Sequence, residues 1–355
     1  FRFDKPEKTT VKDEILTAPE KAERQVENAI SKGLSNLHVR GTDRPATFVH
    51  DIPLMGSNTF GLIDRGTNLI ELRPITGCNL DWIYCTVNEE KRTRDFVVDC
   101  DYMIREFRKL AKFKDTDCEA HIGPQGEPLL YSDLAKLVSG ISDIARVSMD
   151  TNATLLTKDK VDELVSCGLH QFNVSIDAVS QEKAKKLAGC PYDISHVMEI
   201  IRYIAAKADL VIAPILVPGY NEEDMEELVK LAKELDARIG IQNFLSYKYG
   251  KRPSRPWRFE KFYNHLEKLE EKYDIILILG PEDFGIHPAR SYENPINKGD
   301  IIDVEIVSEG RLPNEKIGVY KGWIVTVVPC HNNGRIKARI TRTKNNIFYA
   351  EPKNS

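Results

Sequence analysis

No apolar run in the chain approaches the length that a helix needs to cross a bilayer, which excludes a membrane-spanning helical protein. Cysteine is sparse and poorly placed for a covalent framework: there are seven, an odd number, scattered, with none before Cys78. This pattern argues against a secreted disulfide scaffold and for a reducing, cytoplasmic setting. Methionine is missing from the first position, where Phe1 stands, so the start reads as trimmed and a targeting peptide would be invisible. What the chain does have is length and core. Its 355 residues, 41% of them hydrophobic, suit two domains, one of them large.

Net charge is only −4, but it is unevenly spread. Residues 295–355 carry ten Lys/Arg against six Asp/Glu, a net of +4, which leaves −8 on residues 1–294. A basic tail on an acidic body suggests that the tail meets a polyanion.

From Leu69 onward short aliphatic runs alternate with amphipathic stretches. Strands are expected at Leu69–Arg73, Glu119–Gly123, Arg146–Met149, His170–Ile176, Leu210–Leu216 and Ile239–Phe244. Helices are expected at Tyr102–Phe113, Ser132–Ile144, Lys158–Cys167, Ser180–Leu187, Ile194–Ala206 and Glu222–Leu235, the last with Asn221 as its cap. Six such units predict a parallel sheet with right-handed crossovers, a partial (βα)6 barrel in the α/β class. Ile275–Leu279 is a candidate for one more strand after a helical run at Arg258–Tyr273, and a doubly wound open sheet is the alternative. Before the barrel, residues 1–66 read as an N-terminal extension with a helix at Val11–Leu34 and irregular or β structure at Gly41–Gly66. The barrel domain is expected over 67–290. After Pro295, five short strands at close spacing predict a small antiparallel barrel over 295–355.

Parallel barrels place their active sites at the carboxyl ends of the strands. The unusual residues of this chain fall there, strand by strand. They comprise the loop Cys78 to Cys85, then Gly123-Pro124-Gln125-Gly126-Glu127-Pro128, then Thr151-Asn152, then Asn173 to Asp177, then Val217-Pro218-Gly219, and finally Gln242-Asn243-Phe244. Taken singly, each is an ordinary turn or strand end. Asp177 reads either as a base near a substrate or as a helix cap, and His121 and His170 read as packed residues.

With a cysteine at position 82, Thr76-Gly77-Cys78-Asn79-Leu80-Asp81-Trp82-Ile83-Tyr84-Cys85 would read Cys-x3-Cys-x2-Cys. Residues 66–250 thus resemble the radical S-adenosylmethionine (SAM) enzymes. The resemblance implies a [4Fe–4S] cluster and SAM as cofactors, and an electron donor such as ferredoxin or flavodoxin. It assigns Cys78 and Cys85 to the cluster, with Trp82 at the expected third ligand position. It assigns Tyr84, Gly126, Glu127, Asn152, Asn173, Ser175, Val217 and Gln242 to SAM, with Glu127 as part of the motif that receives the methionine amino group. No catalytic residue is singled out. An indole N–H has no lone pair for a metal, so position 82 is expected to be cysteine in the working enzyme, and this chain an altered Cys-to-Trp version impaired in cluster binding.

The tail resembles a TRAM domain, a small β-barrel fused to RNA-modifying enzymes, through Lys298-Gly299-Asp300, Gly322 to Val328 and Gly334 to Arg342. In the last run Arg335, Lys337 and Arg339 alternate with Ile336, Ala338 and Ile340, and Arg342 and Lys344 extend the cationic series. A strand with period two presents the three cations on one face, suited to phosphates. The function expected is therefore a radical SAM enzyme of archaeal type that modifies RNA, with tRNA as the expected partner, by methylation or another carbon-centred reaction. Methylthiolation is disfavoured because the resemblance would require further cysteines before Cys78. A non-catalytic RNA-binding protein on the same scaffold, and a radical enzyme for lipids or small molecules, are the alternatives.

Overall fold

The structure, a computed structural model, describes residues 37–39, 44–123 and 125–353. The helix expected at Val11–Leu34 lies outside them. A short pair, β1 (Ala46–Val49) and β4 (Asp95–Val98), runs parallel beside the main sheet. That sheet has seven strands. β2 (Gly61–Asp64) lies antiparallel on β3 (Leu69–Arg73), and β5 (Cys118–Ile122), β6 (Ala145–Thr151), β7 (Leu169–Val174), β8 (Asp209–Ile212) and β10 (Arg238–Ile239) follow in order, all parallel. The last two are prolonged by β9 (Ile215–Leu216) paired with β11 (Gln242–Asn243). Each new strand is added beside the previous one, so the sheet winds in a single direction. A doubly wound sheet would reverse its order part-way.

Helices alternate with these strands: α1 (Cys100–Lys114), α2 (Leu134–Ile141), α3 (Lys158–Ser166), α4 (Gln181–Ala188), α5 (Ile194–Ala205), α6 (Asp224–Glu234) and α7 (Phe259–Tyr273). Their starts follow the sequence closely. Asp99, Thr157, Ser180 and Asp193 each accept a backbone N–H of the first turn that would otherwise lack a partner. Asn221 does not cap α6. Its carboxamide instead joins the ends of two strands, donating to the Asp177 and Ile215 carbonyls and accepting from Val217 N–H.

Period two divides each strand into two faces. Leu72, Ala120, Val147, Met149 and Phe172 enter the main core with Phe107, Leu137 and Ile201 of the helices. The alternate residues are polar and bonded to one another. His121 Nδ1 meets Ser148 Oγ at 2.9 Å, Asn173 donates to Asp150 at 3.0 Å, and Gln171 donates to Asn173 at 2.8 Å. The sheet thus has one apolar face under helices and one polar face, and cavities open on the polar side.

Two further expectations need correction. Ile275–Leu279 forms no strand: the Leu277 and Ile278 amides bond to the Glu270 carboxylate, and Leu277 packs on the core. The C-terminal barrel is closed but not wholly antiparallel. It consists of β12 (Ile301–Glu309), β13 (Lys316–Tyr320), β14 (Trp323–Val327), β15 (Gly334–Arg342) and β16 (Tyr349–Pro352), and β14 pairs parallel with β16. This small barrel has its own core around Val304, Val325, Ile340 and Phe348.

The barrel is also docked on the larger sheet domain. Ile317 and Ile324 belong to the main core, Ile324 N–H donates to the Met55 carbonyl, and Phe348 N–H donates to that of Gly56. Gly56 has φ +112°, and a Cβ there would lie 2.2 Å from the Ile324 oxygen, so this contact requires glycine. No helix among the described residues is long and apolar enough to cross a membrane.

Candidate active site

The long connection after β3 carries the cysteine motif and is clamped at both ends. Thr76 accepts from Phe96 N–H and donates to Asp95, whose carboxylate also holds Arg92, and Arg92 donates in turn to the Thr76 carbonyl. Mid-loop, Asp81 and Ile83 donate N–H to the carbonyls of Ala188 and Leu187 at the end of α4. The loop is therefore held by a strand on one side and a helix end on the other.

Cys78, Trp82, Tyr84 and Cys85 face a cavity of about 190 Å³ together with Glu127, Asn152 and Ser175. Burial pushes the Cys78 thiol up to about 12 and raises that of Cys85. Trp82 stacks on Tyr84 with ring centroids 5.4 Å apart and meets Tyr192 at 5.8 Å. Tyr84 is fixed from below by its hydroxyl, which donates to the buried Asp177. Asp177 also accepts from Ile215 N–H, and burial lifts its carboxyl to about 7. It is therefore no helix cap. Ser180 has that role at the start of α4.

Glu127 is buried in the loop that follows β5. Its carboxylate accepts from Thr151 Oγ at 2.8 Å, Asn152 N–H at 2.9 Å and Leu129 N–H at 3.1 Å, and burial raises its pKa to about 7. Its own N–H donates to the Gly77 carbonyl, drawing the β5 loop onto the cysteine loop. Gly126 makes that approach possible: φ is +80°, and a Cβ would stand 2.7 Å from the Ile75 oxygen. Asn152 reaches across to Asn79 at 2.9 Å, which closes the ring of strand ends.

Asn173, Val217 and Gln242 are placed elsewhere. Asn173 and Gln242 line a second cavity, of about 380 Å³, with His121 and Asp150. Asp150 borders both cavities, so the two are neighbouring parts of the barrel interior. His121 is held to Asp150 at 3.1 Å. Burial lowers its pKa, yet the Asp150 charge and hydrogen bond outweigh this and lift it to about 8. Val217 is fully buried, with its N–H on Asn221.

On the tail, Arg335, Lys337 and Arg339 are exposed on one face of β15, and Ala338 and Ile340 are buried on the other. Strand register adds what the run itself hides. Lys337 lies opposite Asp303, at 3.4 Å, Arg335 opposite Glu305, and Arg339 opposite Glu351. The three cations thus form half of a mixed-charge face. Arg342 and Lys344, further along, are exposed.

The Radical SAM superfamily model matches residues 72–232, which supply every lining residue of this cavity but Arg311. The chain is also 36% identical to the uncharacterized protein MJ0103 of Methanocaldococcus jannaschii, over 91% of this chain and 84% of that one. The chain belongs to the radical SAM superfamily. Among other relatives, a probable GTP 3′,8-cyclase of Archaeoglobus fulgidus is 26% identical over 55% of this chain and 64% of its own. In fold, Streptococcus suis SuiB bound to its precursor peptide gives a TM-score of 0.51 at 15% identity, over 77% of this chain and 56% of that one. This chain therefore spans little more than half of SuiB.

Membership makes this radical SAM protein an enzyme by descent, with SAM and a [4Fe–4S] cluster as the cofactors of its superfamily. The residues fit the two unequally. For SAM, an amphiphilic zwitterion, the cavity offers a buried carboxylate, hydroxyl and amide groups and the face of aromatic rings. The cluster is different. Its site holds two thiols and an indole, and among the described residues no group of three His, Cys, Asp or Glu side chains could hold a metal. Two thiolates anchor two irons of a cube, and Trp82 cannot anchor a third. The donor set of this chain does not fit the cluster.

Sequence reasoning missed Arg92 and Asp150, which line this cavity, and also a residue from the far end of the chain. Arg311, in the turn between β12 and β13, enters the cavity and donates from Nη1 to Gln125 Oε1 at 2.5 Å. Only the tertiary fold brings together two residues 186 positions apart.

Proposed function

We propose that this protein belongs to a radical SAM enzyme that modifies RNA, with tRNA as the substrate, and that position 82 is a cysteine in the working form. The observation that carries the reading is the placement of the C-terminal barrel. It sits against the strand-end cavity through Arg311, so whatever the barrel holds is presented to the reacting centre. The exposed Arg342 and Lys344 offer cations to phosphates, whose contacts dominate affinity for nucleic acid. A nucleotide-related substrate is also in keeping with the GTP 3′,8-cyclase relatives.

Within this reading the roles follow from the site. Glu127 accepts the ammonium of SAM, which brings the raised carboxyl back to its charged form. Ser175 and Asn152 supply polar contacts, and Tyr84, braced by Asp177, sets one wall. When bound, SAM supplies the adenosyl group of the superfamily's hydrogen-abstraction chemistry. The reaction class is a carbon-centred modification such as methylation.

A second reading is favoured by Trp82 itself: a non-catalytic RNA-binding protein on a radical SAM scaffold. Two measurements test these readings. The first compares tRNA nucleosides from a strain lacking the gene with those of its parent by mass spectrometry. The second is a gel-shift titration of bulk tRNA with the native chain and an Arg342→Ala/Lys344→Ala variant. One nucleoside lost and binding weakened several-fold in the variant supports the enzyme. Unchanged nucleosides with strong binding favour the non-catalytic reading, and no binding by the native chain removes RNA from both.

A further inference from the structure

Arg311 is the one cavity residue supplied by the C-terminal barrel, and it is held with care. Its N–H donates to the Glu315 carboxylate at 3.0 Å, and its carbonyl accepts from the N–H of Thr93 at 2.9 Å. Thr93 directly follows Arg92 on the returning arm of the cysteine loop. Backbone contacts on both sides therefore aim the side chain inward.

The guanidinium that arrives there is short of partners. Arg311 is 6% exposed, its Nε is buried without a hydrogen-bond partner, and one neutral acceptor, the Gln125 oxygen, takes an Nη1 hydrogen. Among the described residues no carboxylate forms an ion pair with it within 4.0 Å. Glu315 lies on the same turn but spends its carboxylate on backbone N–H groups. The neighbouring Arg92 shows the contrast, with Glu89, Asp95 and the Thr76 carbonyl around it. Other carboxylates of the cavity are also engaged: Asp81 with Lys251, Asp150 with His121, and Glu127 with three donors.

A buried guanidinium carries five N–H donors in a planar fork. Leaving such a charge unpaired is costly, and an arriving oxyanion with two oxygens matches the fork. The geometry points to Arg311 as an oxyanion-binding residue of the cavity, taking a phosphate or carboxylate group of a ligand bound there. It makes the small barrel a working wall of the active site rather than an appended tail. The inference needs the cavity to take a ligand, but not that the substrate be RNA or that a cluster be present.

Trp82 lines the same cavity and reports binding through its fluorescence. The native chain, Arg311→Met and Arg311→Lys are titrated with inorganic phosphate, with SAM, and with 5′-methylthioadenosine, which lacks the methionine carboxylate. Melting temperatures establish that each variant is folded, and Arg311→Lys, which keeps the charge, carries the test if the Met variant does not fold. Saturable phosphate binding that weakens at least tenfold in Arg311→Met, and less in Arg311→Lys, is the expected result. If SAM weakens in parallel while methylthioadenosine does not, the oxyanion is the carboxylate of SAM. If SAM binding is unchanged, it is a group of the substrate. Failure of phosphate to bind the native chain, or equal binding by all three proteins, overturns the inference. Failure of SAM alone would remove the SAM roles proposed for Glu127 and Tyr84 in this chain and leave Arg311 standing.

Discussion

The indole of Trp82 lies over the ring of Tyr84, centroids 5.4 Å apart and planes 22° from parallel, beside the two thiols of Cys78 and Cys85. Tyr84 is in turn tied to Asp177, which is tied to the N–H of Ile215 on β9. An aromatic residue at position 82 is thus integrated into the wall of the site. The first prediction follows from its chemistry. Anaerobic reconstitution with iron and sulfide is expected to load Trp82→Cys with about four irons per chain and to leave the native chain largely unloaded. Equal uptake, measured by iron analysis and visible absorbance, would show that the indole does not obstruct the cluster.

Glu127 has two duties, and its variants separate them. Glu127→Ala removes the acceptor from Thr151, Asn152 and Leu129 and is expected to cost about 2–4 kcal/mol of stability, since buried donors lose their partner. Glu127→Gln keeps shape and part of the bonding but cannot become an anion. Its affinity for SAM is expected to fall about tenfold, or ~1.4 kcal/mol, by calorimetric titration. A Gln variant that binds SAM as the native chain does would remove the ammonium role from Glu127.

Much of this architecture was legible in the chain because the parallel strands set aliphatic core residues at period two and several helices begin at side-chain caps. The strand Leu69–Arg73 and the start of α5 at Ile194 fall where the pattern put them. The site was legible only where its residues sit on consecutive strand ends. Cys78, Tyr84, Glu127, Asn152 and Ser175 meet in one cavity, whereas Asn173 and Gln242 turn into its neighbour. Their side of the strand depends on register, and a shift of one residue changes the face. Charge balance was equally hidden. The stretch from Arg335 to Lys344 contains no acid, yet Glu305, Asp303 and Glu351 come alongside it when β15 pairs with β12 and β16. Arg311 had no local signal, because its meaning arises from the docking of two domains.

That docking has a buried electrostatic support. Lys114, at the end of α1, meets Asp64 of β2 at 2.7 Å with both side chains shielded from solvent, and it also donates to the Arg290 carbonyl. Asp64 accepts from Ser291 as well, so the pair pins the segment that leads into the C-terminal barrel. Lys114→Met strands the Asp64 charge and is expected to lower stability by about 3–5 kcal/mol in denaturant unfolding. Adding Asp64→Leu should restore a large part of the loss. A double variant as unstable as the two single losses combined would show that the pair does not act as a unit.

The His121–Asp150 pair supplies a pH dependence with a definite sign. His121 rises from an ordinary 6.5 to about 8 because Asp150 favours its charged form despite burial. A folded value above the unfolded one means that the native state holds the proton more tightly. The stabilisation is therefore complete below about pH 6.5 and disappears as pH rises through about 8. A shift of this size corresponds to about 2 kcal/mol. Glu127 and Asp177, both raised to about 7 by burial, also lose stability with rising pH, but lower on the scale, from their unfolded values up to about 7. Native chain and His121→Gln compared by urea unfolding from pH 6 to 9 isolate the histidine, because the carboxyl contributions cancel between them. The native advantage is expected to shrink across pH 6.5–8 and then level off. An advantage that stays constant or grows over that interval would mean that His121 is neutral in the folded protein, leaving Asp150 with only the charge of Arg73 to favour its anion.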